Sequence, residues 1–488
     1  MSRSPPSDVA EDGPPAAPSQ GPDPSRLALT CPVRGLDSPL GPFPGGEATM
    51  TAPTEAPIIE PGEFLTEEHR LNPFPLYKKI RDWEPVYHDR LQNRFFVSRY
   101  EDIWDAYKRS RPGGDFTRGV YDMQGKYDFG SESPLGETIL DMGEGPEHRW
   151  SRGIVAGEFV GKKLVTWLPV IEETAAEMIE QFSQEAAEDL ASGISKQGEI
   201  DLVTQFSQRF PIRVIAGMLG LPREDFDYFE SIYNTLFAGM GYGRAYFRSA
   251  EKAKFALHDY LTPIIADRRA NPRTDLISKF VTAEMSGEMM TDHQIKSFVA
   301  LLLVGGGDTT HKAIDSMWWN LLSNYEQYEA VRDDPELMDR VFTEMLRFDG
   351  SNHYQPRRAT RETELGNRVI PYGANVALCL GSGNRDERVF KDPDQFNIFR
   401  DDLYFGKELR VGYWQDGVAS HLGFGQERHF CMGYAMARQE AVMAGKMLLQ
   451  VLKNPRLKDV PNDGIVFPPP GKGGVRGVTH LEIEFDVS

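Results

Sequence analysis

Cysteine is scarce in this chain of 488 residues: Cys31, Cys379 and Cys431 stand far apart, with no CxxC pair and no Cys/His zinc spacing. A disulfide scaffold and a structural zinc site are therefore excluded as organising features. Long apolar runs are lacking too. The longest, Phe298 to Val304 leading into Gly305–Gly307, falls short of the roughly 18 residues a membrane span needs. Arg3 is followed by acidic residues and not by an apolar stretch, so no signal or transit peptide is expected. Basic charge is in deficit as well. With 54 Lys+Arg against 73 Asp+Glu the net charge is −19, a field that repels nucleic acid and anionic lipid. These absences point to a soluble, cytoplasmic protein that binds neither nucleic acid nor membrane.

Large apolar residues are sparse in one segment. Residues 1–55 hold 12 of the 34 prolines among Gly, Ser and Ala, too little apolar surface to offset the entropy of ordering. A flexible leader over 1–55 and a catalytic domain over 56–488 are expected. From Asn72 the pattern predicts helix, strand and helix. From about Arg149 to Phe348 the apolar spacing is mostly helical. Short strand-like pieces follow between Arg357 and Leu380, then a helix from about Gly433 to Leu452, and an alternating tail that reads as an edge strand. The fold class is predominantly α with small β-sheets.

Two segments carry chemistry. In "HLGFGQERHFCMGYAMARQE" (His421–Glu440) a cysteine stands just before a helix, where the helix dipole and unpaired N–H groups favour a thiolate. Cys431 is thus a candidate nucleophile or metal ligand, although a lone cysteine is more often a buried structural residue. In "VGGGDTTHKAI", three glycines interrupt the longest helical pattern at a cost of about 1 kcal/mol each. Either a flat ligand approaches the backbone there, with Asp308 and Thr309 able to relay protons, or the helix breaks and those two residues cap the next one.

Together these segments resemble the cytochromes P450, the haem-thiolate monooxygenases, from Asn72 almost to the C-terminus. The cysteine loop aligns as Phe424, Gly425, Arg428, His429, Phe430, Cys431 and Gly433, with Glu427 where the family usually has glycine. "EMLR" supplies a Glu-x-x-Arg pair, Glu344 and Arg347; Arg400 resembles the third member of that cluster. "PRRAT" offers Arg357, and "GPEHRWSR" offers His148 and Arg152, at positions that hold haem propionates in the family. No phosphate-binding loop, flavin or nicotinamide fingerprint is present.

The resemblance implies a triangular-prism fold with haem b between a long central helix and the helix after the cysteine. It implies Cys431 as axial ligand of the haem iron, and His148, Arg152, Arg357, His429, Phe424 and Gly433 around the cofactor. Asp308 and Thr309 would deliver protons so that dioxygen is cleaved and not released as peroxide, while Glu344, Arg347 and Arg400 would be structural. Phe116, Tyr121, Tyr233, Phe237, Leu301, Asn352 and Tyr354 fall where relatives line the substrate pocket. The implied reaction is insertion of one oxygen atom into a small organic molecule by hydroxylation, epoxidation or dealkylation. Electrons would come from a separate ferredoxin with its reductase, or a flavodoxin, docking near Arg428 and Arg438. Oxidative coupling or desaturation is the alternative within the class, and a non-catalytic haem or ligand-binding protein the alternative outside it. The stretch 401–420 exceeds the family's usual link and reads either as a surface loop or as part of the electron-donor face.

Overall fold

The computed structural model describes residues 58–118, 146–239, 244–285, 287–406, 414–459, 464–467 and 475–487. The 1–55 leader, Cys31 and Tyr121 lie outside these residues. All described residues fall in one compact unit, Thr49–Ser488.

Helix, strand and helix open the chain as the sequence predicts. Helix α1 (Phe74–Trp83) starts behind Pro73 and buries Leu76, Tyr77 and Ile80. Strands β1 (Val86–Asp89) and β2 (Arg94–Val97) form a hairpin, and α2 (Tyr100–Lys108) buries Tyr100, Ile103, Trp104 and Tyr107. After β3 (Phe116–Arg118) the helices dominate: α3 (Pro146–Ala156), α4 (Gly161–Ser192), α5 (Phe210–Met218), α6 (Phe226–Gly239), α7 (Arg244–Ala270), α8 (Asp292–Ser323) and α9 (Met338–Phe348). Strand β4 (Gly198–Asp201) lies between α4 and α5. Strands β5 (Tyr354–Ala359) and β6 (Asn375–Cys379) precede the last helix, α10 (Tyr434–Val451), and β7 (Lys453–Leu457) and β8 (Glu482–Asp486) end the fold.

Helix α8 positions the rest. Thr291 and Gln294 close its N-terminus with a reciprocal capping box, and Phe298 to Val304 are buried without a break. A helix apolar on all sides belongs at the centre of a core, and α8 packs on α5, α7, α9 and α10. The five-stranded sheet runs β1-β2-β6-β5-β3, with β6 parallel to β2 and antiparallel to β5. A second sheet has the order β7-β8-β4. The tail strand is therefore central and not an edge. Its alternating burial reports one covered face, which a doubly paired strand shows as readily as an edge strand.

The 401–420 stretch is tied down at both described ends. Leu403 bridges Ala419, Trp414–Gln415 pairs with Val418–Ala419, and Trp414 meets Tyr100 edge-on at 5.1 Å. Arg340 lies 3.8 Å above the Phe405 ring. These contacts make the ends of the stretch part of the core beneath the five-stranded sheet. Residues 407–413 lie outside the described ones.

Candidate active site

The cysteine loop is built from backbone turns. Gly425 N donates to Leu422 O at 2.8 Å, Phe430 N to Glu427 O at 3.0 Å, and Cys431 N to Phe424 O at 3.0 Å. Gly425 has φ +70°, and a Cβ there would lie 2.8 Å from Gln355 Nε2, so both conformation and space require glycine. Glu427 also adopts a left-handed φ, +58°. The glutamate keeps the backbone shape that glycine adopts without strain. Cys431 emerges partly exposed just ahead of α10. Cys379, by contrast, is fully buried in β6, and burial pushes its thiol far up.

Cationic and imidazole groups converge on this loop. One turn apart on α3 stand His148 and Arg152. The buried His148 ring lies 5.4 Å from that of His429. Arg152 Nη2 donates to Phe430 O at 2.5 Å. Burial lowers the Arg152 pKa while the neighbouring Cys431 opposes that shift. Arg357 enters from β5, buried, with Nε donating to Ser110 Oγ at 3.0 Å and its guanidinium 5.0 Å from the Tyr107 ring. Tyr107 and Ser110 also line a pocket of about 440 Å³ with Lys108, Arg111, Glu427 and Arg428, which places the Arg357 contacts beside the cysteine loop.

The glycine triplet does not act as one unit. Helix α8 runs through it without a break, which removes the capped-break reading. A Cβ on Gly306 would lie 2.7 Å from Ile215 Cδ1, and one on Gly307 2.7 Å from Tyr233 Cε2, whereas one on Gly305 would meet nothing within 4 Å. Two of the glycines thus admit side chains from α5 and α6, and Gly305 alone faces open space. Thr309 Oγ1 donates to Gly305 O at 3.3 Å and is half-buried. The Asp308 carboxylate instead accepts from Val475 N at 3.1 Å, and burial pushes its pKa up to about 6.

A model of the cytochrome P450 family matches residues 231–480, a span that contains α8, the Glu344 cluster, Arg357 and the whole cysteine loop. The chain is a cytochrome P450. It is 28% identical over 401 residues to pulcherriminic acid synthase of Bacillus subtilis, covering 81% of this chain and 92% of that protein. It is 30% identical over 396 residues to cytochrome P450 107B1 of Saccharopolyspora erythraea, covering 79% and 89%. Among solved structures, substrate-free CYP109E1 from Bacillus megaterium superposes with a TM-score of 0.72 at 24% identity, covering 86% of this chain and all of that one.

Cytochromes P450 carry haem b, and the donors present suit it. One thiol is offered at a helix N-terminus, two arginines and two histidines match a cofactor with two carboxylates, and Gly305 leaves the centre of α8 open to a flat ring. Like the rest of the family, the chain is a monooxygenase.

The other residues singled out from the sequence separate into groups. Arg347 grips Glu344 through two bonds of 2.8 Å, both side chains fully buried, and Arg400 Nη1 approaches Glu344 Oε1 at 3.4 Å. Arg347 also donates to the carbonyls of Asn384, Pro393 and Gln395, so the cluster fastens α9 to the segment leading toward the cysteine. Tyr233 and Leu301 are buried in the core around α8, with Phe237 packed against it. Phe116 belongs to the core under the five-stranded sheet. Asn352 is half-buried. The Tyr354 hydroxyl is held by Tyr77 at 2.7 Å and His69 at 2.8 Å, in a buried network shared with His353. Arg438 is engaged by Asp339 at 2.9 Å. Sequence reading missed Ser110 and Tyr107, which support Arg357; no spacing rule links positions 247 residues apart.

Proposed function

We propose that this cytochrome P450 inserts one oxygen atom of dioxygen into a small organic substrate by hydroxylation, epoxidation or dealkylation, using electrons from a separate ferredoxin and its reductase. The observation that carries the reading is the cysteine loop: Cys431 stands ahead of α10, beside Arg152 and the His148–His429 pair.

Haem held through the Cys431 thiolate would supply the dioxygen-activating chemistry. Arg152 and Arg357 would hold the two haem carboxylates through charge-assisted hydrogen bonds, with His148 and His429 in support. Phe424 covers the loop around the sulfur, meeting Tyr434 edge-on at 4.9 Å, and Gly433 places no Cβ beside the sulfur. On the α8 side, Thr309 presents a hydroxyl anchored on Gly305 O. Asp308, whose pKa burial raises to about 6, is the adjoining group able to take up and release a proton. Tyr233, Phe237 and Leu301, in the core around α8, are the apolar residues that would face a substrate there.

Exposed Lys108, Arg111 and Arg428 gather at the pocket beside the loop. In a chain of net charge −19, that local basic patch suits an acidic electron donor. A cytoplasmic setting belongs to this reading, and among the described residues no helix is long and apolar enough to cross a membrane.

Labelled dioxygen tests the reaction. Turnover with ferredoxin, reductase and a substrate chosen by the spin-state change it causes should place one labelled atom in product and one in water. Unlabelled product would favour coupling or desaturation, and no product with any donor would favour a non-catalytic protein. Thr309→Ala should divert electrons to hydrogen peroxide.

A further inference from the structure

The end of helix α2 meets strand β5 at two points. Tyr107 Oη donates to Gln355 Oε1 at 2.9 Å. Ser110, just past the helix, accepts from Arg357 Nε at 3.0 Å while its own hydroxyl donates to Ala106 O at 2.7 Å. Gln355 and Arg357 stand two apart on β5 and so share one face of the strand. The site as described uses the Arg357 contact and leaves the Gln355 contact without a role.

Gln355 needs a tie of its own. Arg357 is paired on both sides of the sheet, with Val376 of β6 and Arg118 of β3, whereas among the described residues Gln355 pairs with Leu378 of β6 alone. Its amide ends a flexible stem whose last torsion is broad. Tyr107 belongs to the core under the five-stranded sheet, and a buried tyrosine hydroxyl keeps its partner because leaving it without one is costly. The hydroxyl therefore fixes the amide.

The place where it is fixed matters. A Cβ on Gly425 would lie 2.8 Å from Gln355 Nε2 and 3.1 Å from Oε1, so the amide fills the space beside this turn of the cysteine loop. Gly425 N donates to Leu422 O, and Phe424, directly before Gly425, supplies the carbonyl that accepts from Cys431 N at 3.0 Å. A displaced Gly425 carries that carbonyl with it. We propose that Tyr107 is a positioning residue for the cysteine ligand: its hydroxyl locks the Gln355 amide against Gly425, and the amide sets the turn whose Phe424 carbonyl holds the Cys431 backbone. One helix end thus aligns the Arg357 arm and the cysteine loop together. The consequence for ligation rests on the haem-thiolate reading; the link itself does not.

Simple core packing by the Tyr107 ring is the competing account. Tyr107→Phe keeps the ring and removes the hydroxyl, and Gln355→Met removes the amide at similar length. In the full-length holoenzyme, hydrogen exchange of the peptide from Leu422 to Gly433 should be about fivefold faster in either variant, the factor that loss of one neutral hydrogen bond gives. Exchange in α7 should stay at the wild-type rate. The double variant should exchange no faster than Gln355→Met, because both substitutions break one link. In mild guanidinium the thiolate band of the reduced carbon-monoxide complex should decay faster in both single variants. Wild-type exchange or an unchanged band lifetime in Tyr107→Phe, faster exchange in α7 as well, or effects that add in the double variant would each overturn the proposal. Faster local exchange in a protein whose wild-type form shows no thiolate band would keep the link and reject the haem-thiolate reading.

Discussion

Arg152 donates through Nη2 to the carbonyl oxygen of Phe430, 2.5 Å away, so α3 is tied to the residue directly before Cys431. The contact joins two segments 278 residues apart in sequence and sets a positive charge beside the sulfur.

Arg152→Ala removes both the tether and the charge. A hydrogen bond involving a charged group contributes about 2 kcal/mol, so haem should be held roughly thirtyfold more weakly. Haem transfer to apomyoglobin measures this, and Arg152→Lys should recover part of the loss.

Glu427 stores strain at φ +58°. A left-handed conformation costs a non-glycine residue roughly 1–2 kcal/mol, partly offset because glycine is freer in the unfolded chain. Glu427→Gly should therefore stabilise the protein by about 0.5–1 kcal/mol, and Glu427→Val should destabilise it. Thermal melting at constant haem content reads both.

The three glycines of α8 should behave differently. Gly306→Ala and Gly307→Ala force a Cβ within 2.7 Å of Ile215 and Tyr233 and should each cost about 1–3 kcal/mol, with Tyr233→Leu relieving the second. Gly305→Ala meets no protein atom and should leave melting unchanged or slightly raised. Its effect should fall on the substrate-induced spin-state change, because the added methyl faces the ligand side.

Stability should depend on pH through two carboxylates. Burial raises Asp308 to about 6 and Asp315 to about 7, against an ordinary 3.8. Their contribution is fully present below the unfolded value and is lost as pH rises through the folded values. Each carboxylate loses up to about 1.4 kcal/mol for every pH unit crossed between those two values. Asp315→Asn should flatten the decline in melting temperature between pH 4 and roughly 8. An equal decline in the variant would show that Asp315 titrates normally.

Much of this was legible because several cues were local. The order of residues from Phe424 to Gly433 placed Cys431 ahead of a helix, and Glu344 with Arg347, three apart on α9, form the expected pair. Glu427 was visible as a departure, but its φ was not, since a side chain does not announce its backbone angle. What spacing alone did not convey depends on partners distant in sequence. Gly306 and Gly307 read like Gly305 until Ile215 and Tyr233 are in place. Tyr354 reads as a pocket residue until Tyr77 and His69 take its hydroxyl. The tail strand alternates whether one edge is paired or two, and β4, far earlier in the chain, supplies the second partner.

The carbon-monoxide complex of the reduced protein tests the central claim most directly. The full-length holoenzyme should give the Soret shift characteristic of a thiolate-ligated haem, and Cys431→Ala should lose it. A Cys431→Ala protein that keeps the thiolate band would contradict the account.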